Sequence, residues 1–261
     1  MLAQQKSPMR YIEIITHQIR VALRQDMQRF FLGIAWWFIE PVLYILVFYL
    51  LFKAGLRFGS GIDRMIHIIV AISTFRLFTA GFPQASKSLI SGRGLMNQVA
   101  LPKWIFPVQV LALNFIKFLI LLLVLFIYLW LSGVTFTVHS TAFIFILLIY
   151  LLLTLGVSLI AASLVPFLPD LQMLIANLVT ALFFLSGVFY DIRDFSVEVQ
   201  QIFYLNPLAV IIQSVRDVLL LNSWPMWNRL FVIGFYSVVF IFIGSKLLAK
   251  FSHTYPKMTR G

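Results

Sequence analysis

Cysteine is absent from the 261 residues. That excludes disulfides, thiolate nucleophiles and Cys-ligated metals. Charge is scarce: only 11% of residues are Asp, Glu, Lys or Arg, and nine are acidic. No G-x-x-x-x-G-K-[ST] loop occurs, so the usual cradle for nucleotide phosphates is missing. The four histidines, His17, His67, His139 and His253, are scattered without metal-ligand spacing. Asp191 and Asp194 make a lone D-x-x-D, which reads as a solvated belt of charge rather than a metal pair. The opening stretch MLAQQKSPMRY lacks the apolar centre of a cleavable signal, so the start of the chain is expected to be retained. These absences leave no catalytic residue, no metal ligand and no cofactor to assign to the chain.

What is abundant is apolar surface, 61% of the residues. A soluble domain of this length has too little interior to hide it, so the expected solvent is lipid. The formal charge of +11 does not point to nucleic acid, because the basic residues fall between hydrophobic runs rather than on one face. The fold class expected is an all-α integral membrane protein. Residues 8–30 read as an amphipathic interface helix: Ile12, Ile15, Ile19, Leu23, Met27 and Phe30 form one stripe, with His17, Arg20, Arg24 and Gln28 opposite. Six transmembrane helices are predicted near 34–52, 65–83, 108–131, 142–165, 171–190 and 229–249. A polar loop is expected at 84–107, and a tight turn at 166–170, where Pro166 and Pro169 stop one helix and start the next. Twelve of the 20 basic residues fall on the amino-terminal side and six on the other, which puts both termini in the cytoplasm. The 191–228 stretch carries two short apolar runs cut by Asn206-Pro207 and Arg216-Asp217. These are short helices, either re-entrant into the outer leaflet or lying flat at the interface. The organisation expected is a tail with interface helix at 1–33, one six-span domain at 34–250, and a cytoplasmic tail at 251–261.

Glu40 is the one acidic residue predicted inside a span, and Arg76 lies at similar depth on the antiparallel neighbour. An unpaired charge there would cost at least ~2.5 kcal/mol, so the two are expected to pair or to share a polar cluster. Without pairing, Glu40 would cap the start of the first span and Arg76 would snorkel or face a wet cavity. Lys117 has no acid at its own depth, which suggests a water-filled cavity or a partner subunit. Trp37, Tyr44 and Phe48 recur at spacings of seven and four, flanked by Trp36 and Tyr49. An aromatic face of this kind suits the sliding of sugar rings. Trp36, Trp37, Tyr44, Phe48 and Lys117 are therefore the candidates for a translocation path.

The order of these parts resembles the membrane permease subunit of type-2 ABC exporters that move polysaccharides. The approach to the first span, Arg29-Phe-Phe-Leu32-Gly33-Ile-Ala-Trp36-Trp-Phe-Ile-Glu40-Pro41, is close to that family's R-x-x-x-L-G-x-x-W-x-x-x-x-P. Ser91-Gly-Arg93-Gly-Leu-Met-Asn97 and Leu101-Pro102-Lys103-Trp104-Ile-Phe106-Pro107 resemble its cytoplasmic loop. Pro169-Asp170 keeps the acid of its turn between the fourth and fifth spans without the preceding base, and Asn206-Pro207 with Arg216 resembles its segment before the last span. The resemblance implies a homodimer joined to two copies of a separate cytoplasmic ATPase, with ATP bound there and not on this chain. Arg20, Arg24, Arg93, Asn97, Lys103 and Asp170 would couple to that ATPase. Asn206, Pro207 and Arg216 would belong to an outer gate. A lipid-linked polysaccharide, O-antigen ahead of capsule or teichoic acid, would be exported across the bacterial inner membrane. A drug or lipid exporter of the same architecture is the main rival. A membrane-embedded transferase or a channel is more remote.

Overall fold

The computed structural model describes residues 8–29, 35–53, 62–98 and 101–255. All regular structure among them is helical, as expected of a chain that must satisfy its own backbone inside lipid. In order these are α1 (Pro8–Arg29), α2 (Trp36–Lys53), α3 (Ile62–Ser86), α4 (Ser88–Ser91), α5 (Arg93–Gln98), α6 (Ile105–Leu131), α7 (Ala142–Leu164), α8 (Leu171–Leu185), α9 (Val197–Phe203), α10 (Pro207–Leu219) and α11 (Trp227–Lys250). Single 3-10 turns sit at Val138–Thr141 and Ile192–Asp194.

The span count differs from the six predicted. Among the described residues, four helices are long and apolar enough to cross a membrane: α3, α6, α7 and α11. A fifth crossing arises if α9 and α10, bent by 111° at their junction, are taken as one broken span. The shortfall lies in α8 and α2. With 15 residues, α8 reaches only ~22 Å against an apolar layer of ~30 Å. The apolar part of α2 so described is Trp36–Val47.

The centre of the molecule is α3, which touches α2, α6, α7, α8 and α10. Val70, Ala71, Phe75, Leu77 and Phe78 enter a common core with Leu125 and Leu129 of α6 and Ile146 and Tyr150 of α7. The closest approach joins α7 to α11. A Cβ on Gly156 would lie 2.9 Å from the Ser237 carbonyl oxygen, and one on Gly244 would lie 2.6 Å from Leu159 Cβ. Small residues permit this, as they commonly do where helices meet in lipid. Outward, α2, α8 and α11 present Leu43, Leu46, Met173, Leu174, Phe231 and Phe235 to the surroundings, an apolar exterior suited to bilayer or to a partner chain. The chain is a multi-pass membrane protein.

A second apolar cluster closes one end of the bundle. Leu89, Met96, Leu101, Ile105 and Phe106 pack with Leu159, Leu248 and Tyr255, and Ile14 and Ile15 of α1 lean on them. The predicted loop at 84–107 is thus largely helical and anchored. On α1, Ile15, Ile19 and Leu23 are half-buried while His17, Arg20 and Arg24 are exposed, so the predicted stripe turns at least partly onto protein. The side chains of Ile12, Met27 and Phe30 lie outside the described residues. At the other end, every residue from Leu208 to Leu219 in α10 is buried, whereas α9 buries none. The two short helices therefore divide the alternatives: α10 is enclosed by protein and α9 lies on the surface.

Candidate functional site

A cavity of about 470 Å³ opens between α2, α3 and α6. Its wall holds Trp36, Trp37, Glu40 and Tyr44 from α2, Arg76 and Gln84 from α3, and Asn114 and Lys117 from α6. Arg76 donates through Nη2 to Glu40 Oε1, so the two intramembrane charges meet as an ion pair. The Arg76 guanidinium also stands 5.8 Å from the centre of the Tyr44 ring. Lys117 Nζ lies 5.6 Å from a Trp37 ring centre, within cation–π reach. Asn114 donates to Gln84 Oε1 at 3.0 Å and to the Val110 carbonyl at 2.9 Å. Trp36, Trp37, Tyr44 and Lys117 thus share one chamber, and Glu40 belongs to it as well. Lys117 therefore borders the same space as an acid, which its depth in the sequence did not suggest. The Phe48 side chain lies outside the described residues.

A smaller cavity of about 230 Å³ adjoins the first. The two share Pro41, Tyr44, Arg76 and Leu121, and the smaller is otherwise walled mostly by Ile45, Ile69, Ile72, Phe75, Leu125 and Phe183. The helical turn that carries Arg76 is clasped from α7. Tyr150 donates its hydroxyl to the Thr74 carbonyl and accepts from the Phe78 N–H, both at 3.0 Å. An uninterrupted helix pairs those two backbone groups with each other, so the hydroxyl bridges the turn on either side of Arg76. Tyr150 was not singled out by sequence. Its only signal is a phenol in the middle of the apolar run Ile146-Leu-Leu-Ile-Tyr150-Leu-Leu-Leu.

A buried polar knot lies at the other end of α3. Arg216 is 1% exposed. It donates to four carbonyl oxygens: His67 at 3.2 Å, Gly187 at 2.8 Å, Val188 at 2.9 Å and Tyr190 at 3.1 Å. Gly187 adopts φ +72, and a Cβ there would fall 2.9 Å from Ile192, so the turn presenting those carbonyls requires glycine. Asp217, equally buried, accepts from Arg193 at 2.5 Å and from Gln213 at 3.3 Å. Asn206 caps α10 by accepting from the Leu208 N–H at 3.0 Å and donates to Ser186 Oγ at 2.9 Å, with Pro207 at the first helical position. Asn206, Pro207 and Arg216 were expected at an outer gate. Arg216 is an interior tie that holds the 187–190 turn, and it also borders a cavity of about 200 Å³ with Arg64, His67, Phe189, Asp191 and Asp194.

The residues expected at an ATPase contact are spread along the opposite end. Arg20, Arg24 and Asp170 are exposed, Arg93 is half-buried, and the Asn97 side chain lies outside the described residues. Lys103 is 8% exposed, and burial lowers the pKa of its ammonium. In the apolar cluster at this end of the bundle, burial pushes the Tyr255 phenol up to about 12, and its hydroxyl donates to the Ser163 carbonyl at 3.2 Å. Asp191 caps the Arg193 N–H, and Asp194 lies 3.7 Å from Arg64. Among the described residues, no three His, Cys, Asp or Glu side chains group to hold a metal.

The helical order can be set against known proteins. A family model described as "ABC-2 type transporter" matches residues 17–220, well over half of the chain. The chain belongs to the ABC-2 type transporter family. It is also similar to two proteins named "O-antigen export system permease protein RfbA". One, from Myxococcus xanthus, is 25% identical over 239 residues, covering 90% of each chain. The other, from Klebsiella pneumoniae, is 21% identical over 248 residues, covering 95% of this chain and 93% of that protein. The ABC-2 match spans α2, α3, α6 and both cavities, and it ends just past α10.

Proposed function

We propose that the chain is the permease subunit of an ATP-driven exporter that moves a lipid-linked polysaccharide out of the cytoplasm, with O-antigen favoured. The observation that carries this reading is the near full-length similarity to O-antigen export permeases from two organisms. The rings of Trp36, Trp37 and Tyr44 in the chamber beside α2 suit it, because stacking surfaces hold sugar rings without fixing their register.

In this reading two copies pair in the inner membrane, each crossing six times if α2 and α8 span with the help of their partner. Both termini lie in the cytoplasm. The unburied apolar sides of α2 and α8 are consistent with a partner chain there. A separate cytoplasmic ATPase, two copies per dimer, docks on α1, on the 84–107 coupling segment and near Asp170, and ATP is bound and hydrolysed on that subunit. Residues 191–228 form the outer boundary of the passage.

Two measurements test this. Affinity purification of the tagged chain from its own cells should recover an ATP-binding subunit in equal number, and the chain alone should not hydrolyse ATP. Deleting the gene should leave polymer inside the cell and strip it from the surface. An unaltered surface polymer with a changed drug or lipid efflux would favour the small-molecule exporter.

A further inference from the structure

We propose that the two adjoining cavities between α2, α3 and α6 form a site for one anionic amphiphile, a lipid bearing a phosphate head. The larger chamber supplies two cations, Arg76 and Lys117, against one carboxylate, Glu40, with the Gln84 and Asn114 amides beside them. The smaller chamber is apolar, and it meets the larger at Arg76, Tyr44, Pro41 and Leu121. A guanidinium at the junction of a cationic space and an apolar one matches the join between a phosphate and its hydrocarbon. The smaller chamber takes the carbons next to the head, not a whole chain.

The Glu40–Arg76 pair is the feature that looks merely structural, and its setting argues otherwise. Its side chains are 38% (Arg76) and 35% (Glu40) exposed and border a cavity. In the polar knot at the other end of α3, Arg216 and Asp217 are by contrast each only 1% exposed. Glu40 acts as an internal stand-in for the ligand's anion. A phosphate binds by taking its place on Arg76, with Lys117 as second cation, while the Trp37 and Tyr44 rings back the two cations.

The phosphate could belong to a bilayer phospholipid or to the anchor of a lipid-linked polymer, and only the second source rests on the export reading. The test is lipid retention on the purified full chain in mixed micelles, read by native mass spectrometry. The probes are phosphatidylglycerol, a long-chain isoprenyl phosphate, phosphatidylcholine and inorganic phosphate. At least one anionic lipid should bind about tenfold more tightly than phosphatidylcholine, the scale of one charge-assisted contact. Preference for phosphatidylglycerol assigns the bilayer source, and preference for the isoprenyl phosphate assigns the polymer anchor. Lys117→Gln should weaken binding about tenfold, as should the charge-balanced double variant Glu40→Gln with Arg76→Gln. Glu40→Gln alone should tighten it about threefold or more, because the internal competitor is gone. A monodisperse elution profile confirms that each variant is folded.

Equal binding of phosphatidylcholine, unchanged binding in the charge variants, or weakened binding in Glu40→Gln would overturn the proposal. So would inorganic phosphate binding as tightly as the lipids, since the apolar chamber would then have no part. Loss of lipid specificity with polymer still trapped in the deletion strain sinks this site alone. Specific lipid binding with normal surface polymer in that strain sinks the export reading instead.

Discussion

A single guanidinium, Arg216, gathers carbonyls from α3 and from the turn that follows α8. Arg216→Lys cannot reproduce the planar fork, and Arg216→Met leaves buried acceptors unpaired, at a cost of at least about 3 kcal/mol. Both should lower the midpoint of thermal unfolding in detergent, followed by loss of the monodisperse peak, with Met the worse. Tyr150→Phe removes one hydroxyl from the turn around Arg76 and should cost about 1–3 kcal/mol. Lys103 is different in sign. Its folded-state pKa is lowered by burial, so the unfolded chain holds a proton that the folded one has released. Stability should therefore rise as pH climbs from the lowered value towards 10.5, and Lys103→Met should abolish that rise. At this scale the sequence was informative for the two charged side chains inside the spans. Glu40 and Arg76 could be matched by depth on antiparallel spans. The partners of Arg216 and Tyr150 are backbone groups, which leave no mark in the residue string.

Helix positions were legible because long apolar runs broken by Pro, Gly and polar clusters admit few alternatives. The predicted 142–165 and the observed Ala142–Leu164 agree closely. Depth of burial was not legible, since a run of leucine and phenylalanine reads alike whether it faces lipid or protein. This is why the sequence predicts a fifth span to residue 190, through the turn that Arg216 holds, and a loop at 84–107. Interhelix spacing gives the sharpest prediction for an element. Gly244→Ala and Gly156→Ala would drive a Cβ into backbone of the facing helix, forcing α7 and α11 apart at about 1–3 kcal/mol. Gly234→Ala on α11 meets nothing nearer than 3.8 Å and should be neutral or slightly stabilising through helix propensity. Thermal midpoints of the three variants provide the comparison.

The molecule as a whole has a well-enclosed centre, α3, and apolar sides on α2, α8 and α11 that no other described residue covers. The natural lack of cysteine makes this surface directly testable. A single cysteine at Leu43 or Leu174 should cross-link two copies in native membranes if α2 and α8 meet a partner. One at Phe235 on α11 should remain monomeric on the same gel. Family and general architecture were readable from the order of motifs, because basic approach, Glu-Pro, short turn and Asn-Pro occur in sequence along the chain. Of the chambers, the sequence marked Trp36, Trp37, Tyr44 and Lys117, but the apolar one that adjoins them exists only once three helices are brought together.

Four carbonyls fastened to one side chain behave as a latch and not as a hinge. Releasing any one of them leaves the guanidinium off-centre for the rest, so intermediate positions gain nothing and the end of α8 stays or leaves as a block. Movement there should consequently register as two distinct populations, with no continuum between them.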